Sequence, residues 1–245
     1  MSVRSVLLGA LFAAMWAWTT APVSAQSLGG LYVRADAAWS HADNANIRDT
    51  VTADEVITGP SPDAPGVLRD IGSGWLAGVG AGKQFTPNLR GDIVYTYRGG
   101  YHVNALDQDT PPASFKADLA SHAVMVTGYA DFPIGNPRIV PFAGIGIGWA
   151  QVNMSSFSET TSAGTANLPG GSKGNFAWQV TAGAGFVLSR GMIVDVFYRY
   201  FDGGYAKSAP GNITSGGTVI GQYSGAGGTL HTHDFGLSVR FPITL

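Results

Sequence analysis

The sequence predicts an all-β chain: eight antiparallel strands closed into an up-and-down barrel whose apolar face is turned outward. Three observations predict it. From Phe176 to Asp202, apolar and small or polar residues alternate over two long runs joined at Ser189–Arg190–Gly191. Such alternation with a short Gly-containing break marks a β-hairpin. The non-apolar side of that hairpin mixes glycines with Asp195 and Arg199, while the apolar side is broad and ends in aromatics. A soluble sheet buries its apolar face; here the pattern fits lipid outside and a narrow polar lumen inside, as in transmembrane barrels. Third, the connections alternate between short and long along the whole chain, as barrels with short periplasmic turns and long extracellular loops require.

The elements follow in order. Residues 1–25 read as a secretory signal peptide: Arg4, an apolar core from Val6 to Trp18, and a small-residue site at Val23–Ser24–Ala25. The barrel then occupies 26–245. The first strand, Leu31 to Ala42, sends Leu31, Val33, Ala35, Ala37 and Trp39 one way and Arg34, Asp36 and Ser40 the other. A polar stretch from Asp43 to Ser73 follows; its Gly59–Pro60–Ser61–Pro62–Asp63 run excludes a central strand. The second strand is Gly74 to Phe85 and the third Leu89 to Val103, with a polar loop expected from Asn104 to Leu119. The fourth is Ala120 to Phe132. The fifth, Ile139 to Asn153, sets Ile145, Ile147 and Trp149 against Gly144, Gly146 and Gly148. A Ser/Thr/Gly loop spans Met154 to Lys173, and the opening hairpin supplies strands six and seven. Gly204 to His231 reads as the last loop; a hairpin around Thr218–Tyr223 would make ten strands. Thr232 to Leu245 closes the chain, with Pro242 removing one ladder donor.

Composition sets limits. Charged residues make up 12% of the 245, well below the roughly one quarter of a soluble domain. The mean hydropathy of +0.12 is that of a wall with only one lipid-facing side. The net charge of −2, or −3 without the leader, and the lack of a basic stripe argue against a nucleic-acid partner. With no cysteine, disulfides, thiolate metal sites and cysteine nucleophiles are excluded. No cofactor is expected.

At the hairpin, Ala182–Gly183–Ala184–Gly185–Phe186 followed by Val194–Asp195–Val196–Phe197–Tyr198–Arg199–Tyr200–Phe201–Asp202 resembles the opacity-protein and OmpA-like group of small porin-family barrels, alphaproteobacterial in style. Pro141–Phe142–Ala143–Gly144–Ile145–Gly146–Ile147–Gly148 is similar to the fifth strand of the same group. The resemblance implies a bacterial outer-membrane location, a role in envelope integrity and adhesion, and no enzymatic activity. It also implies assembly by the barrel-assembly machinery, whose C-terminal signal the last strand resembles, and contact with lipopolysaccharide and with host or surface ligands. No peptidoglycan-binding domain is expected after strand eight. Both termini should lie on the periplasmic side.

Ten residues should face the lumen: Arg34, Asp36, Arg90, Asp92, Arg98, Asp131, Asp195, Arg199, Asp234 and Arg240. Eight strands leave an interior only wide enough for side chains to fill, so the expectation is a salt-bridged plug. The alternative is a small low-conductance channel, with water-admitting gaps beside Gly78, Gly144 and Gly183. All five histidines fall at predicted external strand ends, and His41, His231 and His233 are candidates for a zinc site. The adjacent pairs Ser121–His122 and His233–Asp234 point to opposite faces of their strands and so do not form a catalytic pair.

Overall fold

The structure is a computed structural model; residues 30–43, 48–49, 68–70, 72–107, 113–136, 138–161, 164–188, 191–215, 217–223 and 226–243 are described. The wall has eight antiparallel strands: β1 Leu31–Ala42, β2 Ser73–Thr86, β3 Leu89–Asp107, β4 Ala113–Asp131, β5 Ile139–Met154, β6 Gly171–Val187, β7 Ile193–Lys207 and β8 Ala226–Pro242. Each pairs with its sequence neighbour, and β8 returns to β1 from Tyr32↔Pro242 to Ala42↔Thr232, closing the barrel. Closure leaves the wall no free edge. Pro242 occupies the terminal ladder position, and the next donor, Ile243 N, reaches Leu31 O at 2.8 Å, so the missing proline donor interrupts nothing within the pairing.

Exposure alternates along most of the wall because neighbouring side chains on a strand take opposite faces. Apolar residues are outside: Val79 is 62% exposed, Ile145 72% and Trp149 60%. The interior holds arginines, aspartates, tyrosines and phenylalanines. This inversion of a soluble fold is stable only where lipid covers the outside.

Three loops differ from the sequence expectation. The stretch expected as a loop from Asn104 to Leu119 is largely strand, since β3 runs on to Asp107 and β4 starts at Ala113. A bulge between Arg98 and Tyr101, with Gly100 at φ +83°, turns the hairpin without ending its ladder. Past the apolar wall the lipid-facing pattern is no longer needed, so polarity there says nothing against a strand. The hairpin near Thr218–Tyr223 exists, as Gly211–Ser215 paired with Thr218–Tyr223, but it does not enter the wall. It joins a second hairpin, Phe157–Thr161 with Gly164–Leu168, through Asn212↔Asn167 to Thr214↔Thr165. The loops after β5 and β7 therefore merge into one four-stranded sheet, and the wall count is eight. From the long 43–73 connection, Arg48–Asp49 pairs with Ala226–Gly227 and Leu68–Asp70 with 104–106. The Gly59–Asp63 run, the leader, the start at residue 26 and Leu245 lie outside the described residues.

Candidate functional site: a filled lumen beneath a loop sheet

All ten charged residues named above lie inside the barrel, each at most 6% exposed. The five arginines are balanced by five aspartates. Near the short-turn end, Arg240 binds Asp195 through two contacts of 2.8 and 2.7 Å, a bidentate fork that fixes geometry as well as charge. Arg90 Nε donates to Asp131 at 3.0 Å, and Gln84 donates to the other Asp131 oxygen at 3.1 Å. In the middle, Arg34 meets Asp36 at 2.9 Å and Asp92 at 2.6 Å, while Arg199 reaches Asp36 at 3.0 Å. Further toward the long loops, Arg98 pairs with Asp234 at 2.9 Å. Asp234 also takes Thr232 at 3.0 Å and a very short contact from Ser40, which in turn accepts from Tyr101 at 2.6 Å. Buried charges persist only when paired, and here every arginine has a carboxylate.

Aromatic rings complete the filling. Arg90 lies 3.9 Å from the Tyr129 ring centroid and 4.7 Å from Phe142; Arg98 lies 3.7 Å from Phe201. These guanidinium–ring contacts supply cation–π attraction where hydrogen-bond partners run out. Toward the long loops the filling turns apolar: Ala42, Tyr101, Leu119, Val152, Met154, Ala206 and Leu230 form one buried cluster.

The glycine gaps expected of a channel are occupied. Gly144 stands opposite Tyr129, whose ring takes the space a Cβ would use. A Cβ at Gly183 would lie 2.8 Å from the Phe142 ring, and one at Gly78 would lie 3.0 Å from Thr96 and 3.3 Å from Asp36. Tyr32 likewise covers Gly82. An inward aromatic facing a glycine on the next strand is the barrel's way of packing a ring flat against the wall. Tyr32, Tyr129, Phe142, Phe197 and Phe201 are thus lumen residues that charge-based reading missed. Their inward parity was visible in the alternation; the facing glycines needed the register.

The zinc candidates separate. His41 Nδ1 lies 3.0 Å from Ser73 Oγ, His231 Nε2 lies 3.4 Å from Asp202, and His233 Nε2 lies 3.1 Å from Asp43. Although His41 and His233 are register neighbours, each ring is drawn to a different partner. Among the described residues no group of three His, Asp or Glu side chains could hold a metal ion. Ser121 and Asp234 are buried, whereas His122 and His233 are on the outer face, so each of these adjacent pairs is split by the wall.

Comparison with known proteins agrees with this geometry. A family model described as outer membrane protein beta-barrel domain matches residues 6–241. The outer membrane protein PagN of Salmonella typhimurium is 25% identical over 194 residues, covering 77% of this chain and 79% of that one. A candidate adhesin of Rickettsia conorii is 28% identical over 175 residues, covering 69% and 68%. Among solved structures, OprG of Pseudomonas aeruginosa superposes with a TM-score of 0.55 at 11% identity, over 87% of this chain and 96% of that one, a likeness of fold. The chain belongs to the outer membrane protein beta-barrel domain family, and it is a barrel of the bacterial outer membrane.

Proposed function

We propose that this barrel is a sealed surface scaffold: the lumen is a plug, and adhesive contacts are made by the merged loop sheet and the long β3–β4 hairpin. The observation that carries the reading is the balanced set of five arginines and five aspartates, paired and walled by rings, with no glycine left uncovered at the three suspected gaps. Loops on a rigid frame are where contact function resides, and two loops fused by Asn212↔Asn167 to Thr214↔Thr165 present one surface rather than two loose ends. The relative named as a candidate adhesin supports the same direction.

In this reading residues 1–25 are removed, both termini are periplasmic, and the barrel-assembly machinery inserts the chain. This reading assigns the protein no catalytic role; Ser121 and His122 lie on opposite sides of the wall. Partners are lipopolysaccharide around the wall and host or neighbouring-cell surfaces at the loops. Planar-bilayer conductance of refolded 26–245, on material whose folded band is heat-modifiable, tests the plug. The expected trace is silent. Reproducible discrete steps would overturn the plug and make the lumenal charges the lining of a small channel.

A further inference from the structure

The outer face carries one constellation twice. On β2–β4, Trp75 packs on Tyr97 with centroids 5.1 Å apart, Tyr97 packs on His122 at 5.0 Å, and Tyr95 Oη lies 2.7 Å from His122 Nδ1. On β6–β8, Trp178 packs on Tyr200 at 5.4 Å, Tyr200 on His233 at 5.3 Å, and Tyr198 Oη lies 2.7 Å from His233 Nδ1. The interplanar angles match too: 51° against 47°, 58° against 69°, and 31° against 30° for the Tyr95–His122 and Tyr198–His233 rings. Both middle strands read Tyr-x-Tyr and then Gly-Gly-Tyr, with a bulge and a positive-φ glycine, Gly100 or Gly204. Both following strands read Leu-x-Ser/Thr-His, at 119–122 and 230–233. The two sets are four strands apart and therefore on opposite sides of an eight-stranded wall. A generic aromatic girdle does not require the same hydrogen bond twice.

The two histidines differ at one ring nitrogen, and the second station also carries Asp202, which accepts from Trp178 Nε1 at 3.1 Å. The other ring nitrogen of His233, Nε2, donates to Asp43 Oδ1 at 3.1 Å. A carboxylate only accepts, so Nε2 carries the hydrogen while Nδ1 accepts from Tyr198. His122 makes the same Nδ1 contact; when Tyr95 donates to it, Nε2 carries the hydrogen, and among the described residues nothing accepts from that nitrogen. Asp43 thus displays the chemistry that fills such a station: an anionic oxygen. His122 lies two residues beyond Val124, the register partner of Trp149, about 7 Å toward the loops. That is the headgroup edge of the belt formed by Trp39, Trp75, Trp149 and Trp178, all outward and exposed.

We propose that Tyr95, His122 and the Trp75–Tyr97 platform bind the phosphate of a phosphorylated outer-leaflet glycolipid, the sugar stacking on the rings and the phosphate oxygen accepting from His122 Nε2. The Tyr198–His233 station is the same site closed by Asp43. The assignment rests on the proposed orientation, with the long loops at the cell surface.

The test is retention of glycolipid by the folded chain, taken from phosphatidylcholine vesicles into mild detergent and measured by mass spectrometry. The vesicles carry either bis-phosphorylated lipid A or its dephosphorylated form. Wild type should retain the phosphorylated form in preference, His122→Phe should lose about tenfold, the value of one hydrogen bond to a charged group, and Asp43→Ala should retain more than wild type by opening the second station. His122→Phe keeps the ring and the outward face, and a heat-modifiable band verifies its folding. Equal retention by wild type and His122→Phe, equal retention of the two lipids, or an Asp43→Ala variant without gain would each overturn the site. Displacement of lipid A by millimolar inorganic phosphate would overturn the lipid as its source. Orientation is read separately, by an impermeant thiol reagent on intact cells carrying Thr218→Cys in this cysteine-free chain. Labelling only after permeabilisation would reject the orientation while leaving the detergent result to stand on its own.

Discussion

Strands β1–β4 and β5–β8 are alike outside and unlike inside. Outside, Trp39 matches Trp149, Trp75 matches Trp178, and the Tyr–Tyr–His stations agree within a few tenths of an ångström. Inside, the same alignment sets Arg34 and Asp36 against Gly144 and Gly146, Thr96 and Arg98 against Arg199 and Phe201 (aligned on the Tyr-x-Tyr pairs), and Ala123 against Asp234. The membrane makes the same demand all round the wall, so one solution serves both halves. The lumen is a shared volume. A large side chain from one half must find a small one or a complementary one in the other, and two identical arginines at matched positions would meet across the barrel.

The sharpest way to break this comparison is to force the lumen to repeat. Arg98 lies 3.7 Å over Phe201, the residue at its matched position. Phe201→Arg would put two guanidiniums in one buried contact with a single carboxylate, Asp234, near them. Loss of about 4 kcal/mol or more is expected, the scale of an uncompensated buried charge, read as the urea midpoint of the refolded barrel in vesicles. A midpoint near wild type would mean that matched positions in the lumen are free to be equal.

A smaller effect follows from removing a charge rather than adding one. Arg199→Ala should cost about 2–4 kcal/mol. Asp36 keeps its contacts with Arg34, but it loses the 3.0 Å partner, the lumen is left one positive charge short, and the guanidinium no longer covers Phe197 at 4.7 Å. An unchanged urea midpoint for this variant would count against the plug.

How much of this was legible in the sequence differs between the two faces. Period-2 alternation placed Arg34, Asp36, Arg199 and the outward tryptophans on their observed faces, because in a closed wall parity alone decides inside from outside. Loop lengths pointed to eight strands and left ten open, until the Thr218–Tyr223 hairpin was found outside the wall. What escaped was anything that depends on register or on more than two strands: the Tyr129–Gly144 fit, the partition of His41, His231 and His233 among separate partners, and the merging of two loops through residues 165–167 and 212–214. The Tyr-x-Tyr repeat was in plain sight at 95–101 and 198–205, yet its meaning came only when β4 and β8 brought a histidine to the same place in each. Polarity also misled where the β3–β4 hairpin leaves the apolar wall, since a strand without lipid around it has no reason to look apolar.

The finest probe of the inside–outside difference uses two glycines on adjacent strands. Gly144 faces inward at the position matched to Arg34, and a Cβ there would collide with the Tyr129 ring and lie 2.9 Å from Gly128 O. Gly128 itself faces outward with nothing within 4 Å of its added Cβ. Ala at position 144 must push the ring off the wall, and the ring is held by Arg34 at 2.9 Å and by Arg90 above it, so the strain cannot relax by moving one side chain. Gly144→Ala should therefore cost about 1–3 kcal/mol, the range for overpacking. Gly128→Ala should fall within about 0.5 kcal/mol of wild type, as surface substitutions do, with a slight gain because alanine restricts the unfolded chain more than glycine. Urea midpoints of the two variants, measured side by side, decide it. Equal midpoints would mean that the lumen yields as freely as the lipid face does, and the contrast between a shared volume inside and a repeated demand outside would have to be given up.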